Sequence, residues 1–188
     1  MLTSSVFGPF DPLDPHRLDG IFSRNIFAEP LDIRAPSDLV WRIMIDFERY
    51  PEWNPLNRFF RLDDKAEPGH TVTFGPSWGP YDQPGQGTLP EADMTTRETI
   101  TVWEEGRCLT YGDLRGVFKA ERSQYLEPIA GGYTRYHTFE RICGVLSPLV
   151  RVLFEKRIIA GFTANGVALK ARAERLAGLR LTPVRVTY

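Results

Sequence analysis

TRYHTFERICGVLSPLVR, residues 134–151, decides the fold, because it changes from the pattern of a strand to the start of a helix. Successive side chains of a strand point to opposite faces, so the strand part divides into two sets. The set with two arginines is expected to face solvent: Arg135, His137, Phe139 and Arg141. The other set is then expected to face the interior: Thr134, Tyr136, Thr138, Glu140 and Ile142.

A long helix is predicted to follow this strand. Pro148 suits the first turn of a helix, and apolar residues then recur at helical spacing over about 30 residues, or about 45 Å. These residues are Val150, Phe154, Ile158, Phe162, Leu169 and Leu176. Gly161 and Gly166 interrupt the helix at up to about 1 kcal/mol each relative to alanine, which indicates close contact with the sheet or a bend around bulky contents. Gly178 is the predicted end of the helix.

The residues before position 134 predict short antiparallel strands. After a broken strand pattern at 21–33, a helix is predicted from Pro36 onward, and strand patterns then follow one another across short turns. The strand patterns are residues 58–62, 70–74, 95–103, 107–114, 117–127 and 133–143. The order of strand, helix, five or six antiparallel strands and one long helix predicts an α+β fold.

The first helix loses its apolar pattern at DFERYPEWNP, residues 46–55. Pro51 is expected to stop this helix, because proline disfavours helical geometry in the residue before it. The aromatic residues and prolines of the segment are expected to close one end of a curved sheet.

A strongly curved antiparallel sheet has a concave face that must be covered. One long helix rarely fills such a space, so a cavity with aromatic walls and a few polar groups is predicted. In the strand at 117–127, the period of two points these side chains inward: Phe118, Ala120, Arg122, Gln124 and Leu126. Arg122 and Glu140 then lie on neighbouring strands of one face, where an ion pair would reduce the cost of burying either charge.

Residues 75–93 contain four prolines and four glycines. A loop of 19 residues in a compact domain is usually functional or disordered. Trp78 and Tyr81 on this loop either cover an apolar ligand as a lid or anchor the loop to the domain, and both alternatives are open.

The length of 188 residues and the composition predict one globular domain, and they do not determine its oligomeric state. A net charge of -1 gives no reason to expect nucleic acid as a partner, and no apolar run is long enough for stable membrane insertion. Cys108 and Cys143 fit no metal or disulfide framework and are expected to be buried thiols in a cytoplasmic protein. No metal-ligand set or cofactor motif is recognisable. Residues 1–20 are expected to form a leader, 21–178 the domain and 179–188 a tail.

Three segments together resemble a known superfamily: DFERYPEWNP, TRYHTFERICGVLSPLVR, and AGFTANGVALKARAE at 160–174. They look like the START-related, Bet v 1-like (SRPBCC) superfamily, and within it the polyketide cyclase/dehydrase-like branch, over residues 22–178. The resemblance implies a helix-grip fold, in which a curved antiparallel sheet of about seven strands wraps around a long C-terminal helix, with short helices after the first strand. It also implies a hydrophobic ligand cavity between sheet and helix, and a role for Trp53 and Pro55 in shaping the rim of the sheet.

The resemblance further implies ligands and chemistry. Members bind lipids, sterols, polyketides or plant hormones, and a minority catalyse cyclisation or dehydration. Many relatives carry histidines on the inner faces of the last two strands, where this chain has Arg122 and Thr138. This departure weakens any histidine-based chemistry carried over from the family.

Three functions are compatible with these patterns. The first is binding of a hydrophobic or amphipathic, lipid- or polyketide-like small molecule in the cavity. The second is a polyketide cyclase or dehydratase that uses the same cavity, and the third is an interaction module with a filled core. The candidate ligand-binding residues are Trp53, Trp78, Tyr81, Tyr111, Phe118, Arg122, Gln124, Tyr136, Thr138, Glu140, Phe154, Ile158 and Phe162.

The candidate catalytic residues are Glu140 and Tyr136, either of which would move a proton in an enzyme. Burial would raise the pKa of Glu140 and suit it to acid or base chemistry near neutral pH. A structural ion pair with Arg122 would instead lower that pKa, so the pKa of Glu140 separates the two alternatives.

Overall fold

The computed structural model describes residues 23–79, 81 and 91–181. Its strands are β1 (Arg24–Phe27), β2 (Leu31–Ile33), β3 (Asn57–Leu62), β4 (Thr71–Pro76), β5 (Thr96–Glu104), β6 (Cys108–Asp113), β7 (Phe118–Ile129) and β8 (Tyr133–Gly144). Its helices are α1 (Ser37–Ile45), a 3₁₀ turn (Phe47–Arg49), α2 (Tyr50–Trp53) and α3 (Ser147–Leu181). The predicted leader at 1–20, and residues 182–188 of the predicted tail, lie outside the described residues.

All strands of the described chain form one antiparallel sheet in the order β1-β8-β7-β6-β5-β4-β3, and β2 pairs with β8 as well. Because β1 and β2 occupy the same edge along β8, the sheet is seven strands wide. Register shifts between Asn57 and Phe60 in β3, and between Ile100 and Val102 in β5, mark irregularities that bend a sheet. With α3 packed against β1, β2 and β8, this is the helix-grip arrangement that the resemblance implies.

The segment DFERYPEWNP contains the end of one helix and the whole of the next. Helix α1 ends at Ile45, because Asp46 leaves helical geometry with φ -79° and ψ 70°. Pro51 lies in the first turn of α2, where its missing N–H has no intrahelical partner to lose. The prediction that Pro51 stops the first helix is therefore wrong. The aromatic residues of the segment pack inward, with Tyr50 and Trp53 ring centroids 5.2 Å apart.

Helix α3 is 35 residues long and is closely packed at both interior glycines. A Cβ at Gly166 would come within 2.8 Å of Leu31 Cδ1 on β2, and one at Gly161 within 2.7 Å of the Tyr81 hydroxyl and 2.9 Å of Leu56 Cδ1, which both lie outside the strands. The prediction of close contact with the sheet is confirmed at Gly166, whereas Gly161 packs against the connecting segments. The predicted stop at Gly178 is wrong, because one helical glycine costs only about 1 kcal/mol and its helix-forming neighbours can outweigh that.

The core divides into two parts along α3. The filled half packs the later turns of α3 against the sheet and α1, with these residues at its centre: Val40, Met44, Leu126, Tyr136, Leu169 and Ala173. The open half lies under the earlier turns of α3 and contains Ile26, Leu56, Ile142, Ile158 and Phe162. Among the described residues, the room between α3 and the sheet lies in this open half, at the earlier turns of the helix.

Two of the side chains expected to face solvent on β8 are buried. Phe139 and Arg141 are each 1% exposed, because β1 lies beside them. Phe27 packs against Phe139 with ring centroids 5.3 Å apart, and Arg141 Nε donates to Asn25 Oδ1 at 3.3 Å. Arg135, with its side chain 41% exposed, is placed as expected. The prediction is thus wrong for Phe139 and Arg141, and their burial depends on the neighbouring strand.

Candidate functional site

A cavity of about 280 Å³ lies in the open half, between the inner face of the sheet and the first turns of α3. Its apolar wall is made chiefly of Phe74, Phe118, Ile142, Phe154, Ile158 and Phe162. Its polar lining consists chiefly of Asn57, Glu98, Tyr111, Arg122, Glu140 and Arg157. Apolar walls with a few convergent polar groups are typical of small-molecule sites.

Three polar residues stand side by side across the sheet. Arg122 of β7 is the cross-strand partner of Tyr111 on β6 and of Glu140 on β8. Cross-strand partners point to the same face, so all three side chains reach the cavity, as does Glu98 from β5. We call Glu98, Tyr111, Arg122 and Glu140 the polar end of the cavity.

The guanidinium of Arg122 is held by neutral groups. It is 5% exposed, and it lies 4.3 Å from the ring centroid of Phe162. Its Nη2 donates to Asn165 Oδ1 at 2.8 Å, its Nη1 to the Tyr111 hydroxyl at 3.3 Å and its Nε to Thr138 Oγ1 at 3.4 Å. These contacts join three strands to α3 at the floor of the cavity.

The predicted ion pair between Arg122 and Glu140 is not formed. Among the described residues, no carboxylate makes a salt bridge with Arg122. The guanidinium is instead hydrogen-bonded to Asn165 on α3 at 2.8 Å.

Both carboxyl groups of the polar end have raised pKa values. The pKa of Glu140 is raised to about 8, first by burial and then by the charge of Glu98, while Arg122 opposes the shift. The pKa of Glu98 is raised to about 7, first by burial and then by Asp113. The lowered pKa that an ion pair would give Glu140 is therefore not found.

The hydroxyl of Tyr111 accepts two hydrogen bonds from inside the protein. Asn57 Nδ2 donates to it at 3.2 Å and Arg122 Nη1 at 3.3 Å. A phenol oxygen has two lone pairs and one hydrogen, so the hydrogen is left to donate into the cavity. Burial raises the pKa of Tyr111, which keeps that hydrogen in place.

Eight of the candidate ligand-binding residues line the cavity: Trp78, Tyr111, Phe118, Arg122, Glu140, Phe154, Ile158 and Phe162. Three others, Gln124, Tyr136 and Thr138, are buried outside its wall. The Tyr136 hydroxyl is 2.8 Å from Gln124 Oε1 and 3.3 Å from Asn165 Oδ1. Tyr136 therefore supports the floor of the cavity. Because it does not line the cavity, its hydroxyl is not placed to contact a ligand there, as the predicted catalytic role requires.

The remaining candidates, Trp53 and Tyr81, also lie outside the cavity wall. Trp53 is part of the filled half. The Tyr81 hydroxyl donates to the carbonyl of Ser77 at 2.6 Å. This contact favours the alternative in which Tyr81 anchors the loop to the domain. Trp78 does line the cavity, and its carbonyl accepts a hydrogen bond from Arg157 Nε at 3.0 Å. The lid prediction also involves residues 80 and 82–90, which lie outside the described residues.

The cavity reaches solvent beside the first turns of α3, where Phe154 is both a wall residue and 43% exposed. Large apolar side chains of the β8–α3 connection and of the first turns of α3 are also exposed: Val145, Leu146, Leu149, Val152 and Leu153, of which Val152 is the most exposed at 83%.

The family described as polyketide cyclase/dehydrase and lipid transport matches residues 26–177. The chain belongs to this family. No curated protein sequence matches the chain.

Solved structures similar to this family member share its fold. A START superfamily protein from Mycobacterium smegmatis is 17% identical, with a TM-score of 0.57 over 82% of this chain and 98% of that one. The Zhui aromatase/cyclase from a Streptomyces species is 13% identical, with a TM-score of 0.57 over 82% of this chain and 95% of that one. A norcoclaurine synthase from Thalictrum flavum is 11% identical, with a TM-score of 0.58 over 82% and 96%. At these identities, the likeness establishes the fold alone.

The candidate list lacks three polar residues of this family member's cavity lining, Asn57, Glu98 and Arg157, and also Asn165, which accepts a hydrogen bond from Arg122. Glu98 lies two positions before the fully buried Ile100 on β5, so a period of two indicates the cavity face for it. Asn165 follows Phe162 by three positions and precedes Leu169 by four, which places it on the inner stripe of α3. Applying the period of two to β5, and including polar residues in the helical stripe, would have found Glu98 and Asn165.

Residues 23–79, 81 and 91–181 contain no group of three or more His, Cys, Asp or Glu that could hold a metal ion. No helix within the same residues is long and apolar enough to cross a membrane.

Proposed function

We propose that this family member binds one hydrophobic or amphipathic small molecule in the cavity. The observation that carries this proposal is a cavity of about 280 Å³ with phenylalanine and isoleucine walls and with polar groups on the neighbouring strands β5 to β8. Apolar surface gains about 25 cal/mol for each Å² removed from water, so the walls would supply most of the affinity. The polar end would fix the orientation of the ligand.

An enzyme that promotes cyclisation or dehydration of a polyketide-like chain is the second candidate. It is favoured by the two carboxyl groups, whose pKa values of about 8 for Glu140 and about 7 for Glu98 populate both protonation states near neutral pH. General acid–base catalysis needs such a group within hydrogen-bond reach of the substrate. The Tyr111 hydroxyl would donate to a ligand carbonyl. The third candidate, a filled interaction module, is not favoured by the cavity.

Native mass spectrometry of the protein purified from its own host tests the binding proposal. We expect the native wild type to be heavier than the denatured protein by the mass of a bound small molecule. Ala120→Phe places a ring in the cavity and should abolish this mass difference. Ala171→Phe, the same change at an exposed position of α3, should preserve it. Circular dichroism would establish that both variants are folded. Equal ligand content in the two variants would contradict the proposal.

Glu140→Gln separates the two candidate functions. It should abolish turnover of a polyketide-like substrate if Glu140 moves the proton, and should leave ligand affinity within a few-fold if the protein is a carrier. Turnover that survives both Glu140→Gln and Glu98→Gln would rule out these carboxyl groups as the acid or base.

The setting in which the protein works stays a prediction. Cys108 and Cys143 are both buried and are not joined in a disulfide, which fits the reducing, cytoplasmic environment inferred from the sequence. The expected absence of nucleic acid among its partners likewise rests on the net charge of -1.

A further inference from the structure

We propose that the polar end of the cavity binds the carboxylate of an anionic amphiphile, with Arg122 as the counter-ion. This inference deepens the proposed function and rests on it. The partner is named by its chemistry: a carboxylate group on an apolar chain small enough for the cavity.

The first argument is the unneutralised charge of Arg122. Arg122 is 5% exposed, and no described carboxylate pairs with it, since its described partners are an amide, two phenols and a threonine hydroxyl. A buried charge without a partner is costly. A ligand that brings a negative charge would remove this cost.

The second argument is that donors outnumber acceptors around Arg122. A guanidinium has five N–H groups, and three are used by described residues. The Tyr136 hydroxyl also interacts with the guanidinium, which leaves at least one N–H, on a side chain that lines the cavity, without an acceptor among the described residues. The Tyr111 hydroxyl adds the hydrogen left over from its two acceptor bonds. A carboxylate has two acceptor oxygens, so a guanidinium N–H and a neighbouring hydroxyl together fit one.

The third argument concerns the two carboxyl groups that could repel such a ligand. Burial raises the pKa of Glu98 to about 7 and that of Glu140 to about 8. Protonated side chains would add O–H donors beside the ligand and leave Arg122 as the uncompensated charge. The charged groups that act on this pair are Asp113 on Glu98, Glu121 on Glu140, and Arg122 on both, and Arg157 lines the same cavity.

The fourth argument is the position of the charge relative to the apolar wall. Arg122 lies against Phe162 with 4.3 Å between guanidinium carbon and ring centroid, and Phe118, Ile142 and Ile158 complete the surrounding wall. A ligand that places its head group at Arg122 would lay its chain along these side chains. The site therefore fits an amphiphile better than a small free anion.

A matched series of decanoate, decanol and decylamine tests the inference, because the three probes differ only in the head group. Calorimetric titration of the wild type should give at least tenfold tighter binding of decanoate than of decanol, and the weakest binding for decylamine. Equal binding of decanoate and decanol, or a preference for decylamine, would overturn the carboxylate proposal while leaving the proposed cavity function standing. Failure of all three probes to bind would contradict both.

Two variants test whether Arg122 causes the preference for decanoate over decanol. Arg122→Gln should bring decanoate to within a few-fold of decanol. Asn165→Asp, a nearly isosteric change, supplies an internal counter-ion at 2.8 Å from the guanidinium and should also remove the preference, so the test does not depend on Arg122→Gln folding. Arg151→Gln, at an exposed arginine of α3, should leave it unchanged. A decanoate preference that persists in folded Asn165→Asp would overturn the role of Arg122.

Proton uptake gives an independent readout. At a pH between the pKa values of Glu98 and Glu140, an incoming carboxylate should raise both pKa values, so binding should take up protons. Titrations in two buffers of different ionisation enthalpy measure this uptake. We expect uptake with decanoate, less in Glu140→Gln, and none with decanol. Proton release on decanoate binding would overturn the proposal.

Discussion

At the scale of single residues, the protein keeps a charged group inside by surrounding it with neutral acceptors. Arg122 is bonded to Asn165 on α3 and to Tyr111 and Thr138 on neighbouring strands. A salt bridge to Glu140 would have neutralised the guanidinium, which would then attract an anionic ligand less strongly. The first prediction therefore concerns the effect of buried ionisable side chains on the free energy of unfolding.

The raised pKa values of Glu98 and Glu140 predict that stability falls with rising pH. Glu140 has a folded-state pKa of about 8 against 4.5 for the free group. Between these values the folded state holds a proton that the unfolded state has lost, so the free energy of unfolding decreases as pH rises. Glu98→Gln combined with Glu140→Gln should flatten this slope in denaturant titrations. Glu48→Gln, at an exposed carboxyl, should leave the slope unchanged, and an unchanged slope in the double variant would contradict the assignment.

At the scale of elements, the two halves of α3 have different surroundings. Its later turns pack into the filled half, and its earlier turns roof the cavity. Gly166 permits close approach to the sheet and Gly161 close approach to Leu56 and Tyr81, while Gly178 has nothing within 4 Å of an added Cβ.

Alanine substitutions at two glycines of α3 should have opposite effects. Gly166→Ala would place a methyl group 2.8 Å from Leu31 Cδ1 and 3.3 Å from Tyr136 Cε1, and should destabilise the protein by about 1–3 kcal/mol. Gly178→Ala meets no neighbour and should stabilise it by up to about 1 kcal/mol. Urea unfolding measures both values, and equal effects would contradict the close packing at Gly166.

Truncations in the two halves of α3 should also differ. Leu169→Ala removes a side chain that is 1% exposed in the filled half, and should lower the free energy of unfolding by about 2–5 kcal/mol. Ile158→Ala enlarges a cavity that already exists, so it should cost less stability. Thermal unfolding of the unliganded variants tests this order, and a larger loss for Ile158→Ala would mean that the open half is packed.

At the scale of the whole molecule, much of the fold and part of the site could be predicted from the sequence. The period of two in β8 placed Glu140 on the inner face, and the helical stripe placed Phe154, Ile158 and Phe162 opposite it. These inferences worked because one periodic element needs no knowledge of its neighbours. The partner of Arg122 could not be predicted in this way, since it depends on how near α3 brings Asn165.

Burial on the outer face of β8 shows the same difference. Arg141 is buried because β1 lies beside it and Asn25 accepts its hydrogen bond, and no pattern within β8 itself indicates that neighbour. Local periodicity thus assigns faces, whereas pairing between elements decides which polar groups are satisfied and which are left for a ligand.

The central claim is that α3 covers the curved sheet but leaves an open half whose polar end receives a ligand. A crystal structure of the protein grown with decanoate tests it most directly. We predict the chain of decanoate between Phe118, Ile158 and Phe162, with its carboxylate at hydrogen-bond distance from Arg122 and Tyr111. A cavity closed by side chains, or decanoate bound only at the surface of the protein, would contradict the claim.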